Sequence, residues 1–171
     1  MSNPASARPA PPAAPQWQLS RLPELSAADL YAALAARQVV FAVEQQCAYL
    51  DADGLDLDAW HLLGWAGDGP GRALACYLRI LAPGARYAEP AIGRVLTTPA
   101  FRGTGLGRVL MEEGLARAAR LFPGAPIRIA AQQRLEAFYA SLGFRTVGAP
   151  FDEDGIPHVE MLRPAQAERV A

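Results

Sequence analysis

Cysteine is scarce in this chain of 171 residues: Cys47 and Cys76 are the only two, and neither stands in a Cys-x-x-Cys pair or a Cys/His cluster. A disulfide framework and a zinc site therefore have no support, no metal is expected, and a reducing cytoplasm is the expected setting. Long apolar runs are also lacking. None approaches the roughly 18 residues that a membrane span requires, and the opening MSNPASARPAPPAAPQ has no apolar core of the kind a secretory leader carries. Charge of one sign is missing as well, because 16 basic and 17 acidic residues leave a formal net charge of -1. With no polybasic footprint, nucleic acid and anionic membrane drop out as expected partners.

What the chain does contain is enough apolar material, 51% of its residues, to bury a sizeable core in one domain. Residues 1–16 are rich in proline and alanine and read as a disordered tail. A single domain is expected over 17–163, with a short tail over 164–171. WQLSRL reads as a first strand, and Ser26 with Asp29 forms a weakened capping box before a helical run through Leu30, Leu34 and Arg37. VVFAV, residues 39–43, suits either the end of that helix or an extended segment. WHLLGWA and RALACYLRIL flank GDGPG as an antiparallel hairpin, and AIGRVLTTP follows as a strand ended by Pro99. A helix from about Gly105 to Phe122, the strand IRIAA, the helix QRLEAFYASLG capped by Gly143, the strand FRTVG and a closing VEMLR complete the order. That order implies an α/β (α+β) fold, a mixed and mostly antiparallel sheet of about six or seven strands with helices on both faces.

The most informative stretch is TTPAFRGTGLGRVLMEEGL, where Gly103, Gly105 and Gly107 come directly after a strand and directly before an amphipathic helix. A helix start presents unpaired N–H groups and a partial positive charge, and glycine lets an anion approach that backbone closely. The run is not a dinucleotide fingerprint, which would want glycine where Arg108 or Leu110 stands, and no Gly-Lys-Ser/Thr follows as in a triphosphate loop. Arg102-Gly103-Thr104-Gly105-Leu106-Gly107 is an R-x-x-G-x-G run, and it resembles the pyrophosphate arm of the GNAT family of acyl-CoA N-acyltransferases. One helix and one strand later, FYASLGF, Phe138 to Phe144, resembles that family's tyrosine motif. RQVVFAVEQQCAYLDADGLD and FDEDGIPHVEM look like its ElaA-like branch.

The resemblance implies acetyl-CoA as cosubstrate and direct transfer of its acetyl group to a primary amine, on a small molecule or a peptide. It assigns Val95, Leu96 and Thr97 to the strand whose backbone pairs with the pantetheine arm. It places the pyrophosphate on the N–H groups of Gly103, Thr104, Gly105, Leu106 and Gly107, with Arg102 lending charge and Arg108 within reach. Gln132 stands where many relatives carry an asparagine on the CoA arm, and Phe138 lies beside that arm. Tyr139 is the implied general acid for the departing thiolate.

On the acceptor side, the apolar run before Glu44 would carry its carboxylate toward the core, where it could bind and deprotonate an amine; a solvated glutamate is the other reading. Gln45 beside it and His158 on the later hairpin are further candidates for acceptor binding. His61, inside an apolar strand, reads as a hydrogen-bonded core histidine, and Cys47 as a buried inert thiol. DADGLDLD does not space its glycine and glutamate as a calcium loop does, and reads as a solvated acidic turn or as an acidic lip favouring a cationic acceptor. A non-catalytic acyl-CoA sensor is the rival to the enzyme. Acyl-chain length stays open, and exposed edge strands make a homodimer an expectation.

Overall fold

The computed structural model describes residues 14–165, so most of the expected N-terminal tail and the end of the C-terminal tail lie outside the described residues. Strand β1 (Gln16–Arg21) pairs antiparallel with β2 (Trp60–Ala66), β2 with β3 (Ala73–Leu81), and β3 with β4 (Ala91–Thr97). Strand β5 (Ile127–Gln132) runs parallel to β4 and antiparallel to β8 (Ile156–Arg163), which also pairs with the short strands β6 (Arg145–Thr146) and β7 (Phe151–Glu153). The fold is the expected mixed, mostly antiparallel α/β arrangement, with eight strands among the described residues rather than six or seven. FRTVG forms only the two residues of β6, and β7 lies in FDEDGIPHVEM, where the acidic run hides it from a hydropathy pattern.

Helix α1 (Ala27–Arg37) starts as its capping residues require: Ser26 Oγ accepts from the Asp29 N–H at 3.1 Å. The Asp29 carboxylate does not close the box, because Arg72 (2.6 Å) and Gln18 (3.3 Å) donate to it instead. Residues Gln38–Glu44 continue as a π-helical segment. Its wider turn brings Val40 and Phe41 inward and leaves Val39 and Val43 outside, Val43 with 70% exposure. Against the other face of the sheet lie α2 (Leu106–Leu121) and the short α3 (Glu136–Ala140), which a 3-10 turn precedes in place of one longer helix. Leu106, Leu110, Met111, Leu115 and Ala118 form the buried stripe of α2, as its period predicts. Gly114 lets that helix come so close to β3 that a Cβ would stand 2.5 Å from Leu78 Cδ2. Among the described residues no helix is long and apolar enough to cross a membrane.

Two irregularities in β4 shape everything that follows. Tyr77 pairs with Leu96 and Arg79 with Gly93, so Leu78 alone faces both Arg94 and Val95, which is a β-bulge. The bulge reverses the alternation of the strand: Ile92 packs on the α2 side and Leu96, four residues later, on the α1 side. The second irregularity is that β4 meets β5 in register at Ala91 and Arg128 only. Arg128 clasps that closed end, with Nε and Nη2 on the Glu89 carboxylate (2.9 and 2.7 Å) and Nη1 on Glu160 (2.8 Å). Beyond it the two strands diverge.

The acidic loop is not a solvated turn, which corrects the expectation for DADGLDLD. Asp51 and Asp56 are buried, and with Asp53 they hold Arg37, Arg79 and Arg94 in one cluster of three carboxylates and three guanidiniums. Arg37 and Arg79 are each 1% exposed, and Arg37 is fixed on Asp56 by two hydrogen bonds of 2.7 and 3.0 Å. Burial acts to raise the Asp53 pKa, but the Arg79 hydrogen bonds and the Arg79 and Arg94 charges outweigh it and hold the group at about 2, against an ordinary 3.8. Asp56 is lowered in the same way by Arg37 and Arg79 against its own burial. A carboxyl whose pKa is depressed on folding adds stability that is complete above its unfolded pKa and lost as pH falls through the folded one. The thermal midpoint is therefore expected to hold above about pH 5 and to fall steadily toward about pH 2. A melting curve flat over that window would show that the cluster adds nothing.

Candidate functional site

The divergence of β4 and β5 opens a cleft of about 700 Å³. Its walls are Ile92 to Thr97 on one strand and Ile129 to Gln132 on the other, with the π-helical segment over one side and the β7–β8 hairpin over another. Val95, Leu96, Thr97, Gln132, Tyr139, Glu44, Gln45, Arg102 and His158 all line it, so most of the residues selected from sequence converge on one space. Phe138 does not line the cleft and packs half-buried against the core.

At the end of β4 the chain turns through Pro99–Phe101 into the glycines, which lie beside the cleft and not among its walls. Gly103 and Gly105 have φ of 74° and 85°, a region that favours glycine, and Gly105 is the N-cap of α2. Gly107 has no such dihedral. At none of the three would a Cβ meet any atom within 4 Å, so the folded chain leaves open space over this backbone. Among the described residues the N–H groups of Gly103, Thr104, Gly105, Leu106 and Gly107 have no protein acceptor, whereas those of Arg108 and Val109 return to the Gly105 carbonyl. Five undirected donors at a helix start, with room in front of them, fit a diphosphate. For Gly107 that fit is the one reason on view for glycine, since the helix itself would accept alanine.

The two arginines flanking the cradle behave differently from the expectation. Arg102 does not lend its charge to the cradle: Nη2 donates to Glu44 Oε2 at 2.8 Å and Nε to the Thr97 carbonyl at 3.1 Å. Arg108 donates to Ser141 Oγ at 2.6 Å and lies over the Phe138 ring, which ties the start of α2 to the end of α3. Thr104 turns its hydroxyl onto the Phe101 carbonyl. The backbone, not a guanidinium, is what this cradle presents.

Tyr139 is 7% exposed and sits edge-on between Phe138 and Phe144, with ring centroids at 5.0 and 6.0 Å. Burial pushes its phenol up to about 12, so the hydroxyl keeps its proton at every physiological pH. Glu44 corrects a second expectation. The apolar run before it does not carry it into the core, because the π turn leaves its side chain one third exposed at the cleft wall, paired with Arg102. Cys47 likewise is half-buried on the cleft, its Sγ near the Gln45 and Asp154 carbonyls, and not enclosed. Cys76 is the enclosed thiol, raised to about 12 by burial. Gln132 Nε2 donates to Gln45 Oε1 at 3.2 Å and so links β5 to the acceptor-side segment. His158 donates from Nδ1 to the Ile156 carbonyl at 2.8 Å and stacks on Phe151.

His61 is a core histidine, as read from sequence. Its Nε2 lies 3.0 Å from the Asp56 carbonyl, which can only accept, so Nε2 carries the proton and Nδ1 accepts from the Tyr77 hydroxyl at 2.7 Å. Burial lowers its pKa and keeps it neutral. Arg94 and Tyr49 also line the cleft, and nothing in the local sequence singles them out.

Comparison with known proteins agrees with this geometry. Residues 75–163 match the acetyltransferase (GNAT) domain model. The chain is 44% identical over 146 residues to UPF0039 protein sll0451 of Synechocystis, covering 85% of this chain and 93% of that one. It is 42% identical over 150 residues to Protein ElaA of Escherichia coli, covering 86% and 95%. Among solved structures it superposes on an acyl-CoA N-acyltransferase from Pseudomonas aeruginosa with a TM-score of 0.81 and 42% identity, covering 87% of this chain and 99% of that one. It superposes on E. coli ElaA with a TM-score of 0.79 and 41% identity, again covering 87% and 99%. The chain belongs to the GNAT acetyltransferase family, among the ElaA and UPF0039 proteins.

Proposed function

We propose that this protein is an acyl-CoA-dependent N-acyltransferase that moves an acetyl group from acetyl-CoA to a primary amine by direct attack. The observation that carries this reading is the splayed β4–β5 cleft, with the glycine cradle beside it and Tyr139 in its wall. Acetyl-CoA bound there would supply a thioester carbon for the amine and a thiolate leaving group.

The residues divide the remaining work. The cradle N–H groups from Gly103 to Gly107 hold the diphosphate, and the backbone of Val95, Leu96 and Thr97 aligns the arm, with one N–H there polarising the carbonyl oxygen. As the amine nitrogen bonds to carbon and the carbon–sulfur bond breaks, Tyr139 donates its proton to sulfur. A phenol near 12 is a weaker acid than a thiol of ordinary pKa about 8.5, but the same dry wall raises the pKa of a thiol beside it, so the transfer stays near balance. The incoming amine must lose its own proton. Glu44 Oε2 holds Arg102, which leaves Oε1 to accept that proton directly or through water. Gln45 and His158 complete the acceptor side of the same cleft.

The charge on the cleft walls does not favour cations. Glu44, Asp53 and Glu153 are each matched by an arginine, and the remaining lining charges, Asp154 and Arg134, offset one another. The acceptor is therefore recognised by hydrogen bonds and shape more than by a negative field. The chain offers no lysine of its own, since all 16 basic side chains are arginine, and no lysine side chain competes for the acyl group.

The test is thiol release from acetyl-CoA across a panel of amines, amino acids and peptides. An amine-dependent rate with formation of the acetylated amine supports the enzyme. Tight acetyl-CoA binding with no amine ever acetylated would favour a sensor of acyl-CoA. For Glu44→Gln the expected result is a loss of about 10- to 100-fold in kcat/KM for the amine near pH 7, with acetyl-CoA affinity kept. Recovery at high pH, where the amine arrives already neutral, would identify the lost group as the base.

A further inference from the structure

The bulge in β4 is held from outside the strand. Arg94 occupies it with φ of 53°, a left-handed backbone that residues with a Cβ seldom adopt. Its guanidinium reaches back to the acidic loop: Nε stands 2.7 Å from Asp51 Oδ1, Nη2 donates to the Asp51 carbonyl at 3.1 Å, and Nη2 lies 3.4 Å from Asp53 Oδ2. Those two aspartates are themselves fixed. Arg37 Nε and Nη2 hold Asp51 at 2.7 and 2.9 Å, the Tyr49 hydroxyl donates to Asp51 Oδ1, and Arg79 grips both oxygens of Asp53 at 2.7 and 2.8 Å. Arg79 is also the residue of β3 that pairs with Gly93, next to the bulge. The cluster therefore joins the α1 junction, the 51–58 loop, β3 and the bulge into one rigid body.

We propose that Arg94 is a positioning residue for the reaction: anchored on Asp51 and Asp53, it holds the left-handed bulge and so aims the backbone N–H that the bulge frees, at Val95, into the cleft. A bulge leaves one residue without a ladder partner, and its direction depends on the twist at that point. An N–H serves a developing oxyanion only when its orientation is set before the reaction. This inference rests on the acyltransferase reading for its purpose, but the clamp itself can be tested without any ligand.

Hydrogen–deuterium exchange is compared for the native protein, Arg94→Ala and Arg94→Gly. In Arg94→Ala, exchange across residues 92–97 is expected to speed up about ten-fold or more while α2 stays within about two-fold. Arg94→Gly, which adopts positive φ without strain, is expected to show a smaller rise, and should Arg94→Ala not fold, the glycine variant against native carries the same comparison. The second readout is the carbonyl stretch of bound 13C-acetyl-CoA in the infrared. It is expected at lower frequency than in free acetyl-CoA for the native protein, near the free value for Arg94→Ala, and between them for Arg94→Gly, with affinities within about three-fold of one another. Unchanged exchange in Arg94→Ala overturns the clamp. Equal, large losses of affinity in both variants overturn it too, because the guanidinium would then be a direct ligand contact. If native protein binds no acetyl-CoA, the acyltransferase reading fails while the exchange result still decides the clamp.

Discussion

Replacing Tyr139 by phenylalanine is expected to lower kcat by about 10² to 10⁴-fold with little change in acetyl-CoA affinity. The ring contributes by packing and the hydroxyl by chemistry, and the substitution separates them. Phenylalanine keeps both edge-on contacts, to Phe138 at 5.0 Å and Phe144 at 6.0 Å, so α3 and the cleft wall stay in place. The hydroxyl makes no hydrogen bond to another side chain or backbone group among the described residues, and its removal strands no partner. What is lost is the proton for the departing sulfur. Because burial holds the phenol near 12, the native enzyme should show no decline in rate between about pH 8 and 10 from loss of this proton, and a descending limb there would point to a different acid. The check is steady-state kinetics on the amine found in the panel, with acetyl-CoA affinity measured by calorimetry on both proteins. A variant that turns over like native would remove Tyr139 from the mechanism.

Much of this arrangement is legible in the chain before any coordinates. Helix α2 is visible because Leu106, Leu110, Met111, Leu115 and Ala118 recur at the helical period, and the glycines before it are visible because the strand and the helix leave them no other place. Other parts are hidden for physical reasons. Asp51, Asp53 and Asp56 read as a solvated turn because their partners Arg37, Arg79 and Arg94 come from 14 to 43 residues away, and charge pairing at that range leaves no local pattern. VVFAV is apolar throughout, and that pattern alone points Glu44 inward. The π turn decides which of those residues face in, and hydropathy carries no sign of it. The bulge is hidden in the same way. AIGRVLTT reads as an ordinary strand, yet Ile92 and Leu96 face opposite sides of the sheet, and only pairing with β3 reveals the extra residue.

Gly105→Glu is expected to weaken acetyl-CoA binding by about 100-fold or more while the protein still folds. Three terms decide this. The dihedral at Gly105, φ 85°, costs a residue with a Cβ roughly 1 kcal/mol, which native stability can absorb. Sterically the folded chain does not object, since no atom lies within 4 Å of where the Cβ would stand. The decisive term is the new carboxylate, placed where the helix start and the undirected N–H groups of Gly103 to Gly107 would otherwise receive an anion. It would take those donors itself and repel the diphosphate. Gly105→Ala separates the terms, because it carries the dihedral cost without the charge: about a ten-fold loss or less is expected there. The measurement is calorimetric titration with acetyl-CoA and with desulfo-CoA, beside a melting curve for each variant. Native-like binding by Gly105→Glu would show that the diphosphate sits elsewhere. Comparable losses for alanine and glutamate would mean that backbone conformation at the N-cap, not the anion site in front of it, sets the affinity.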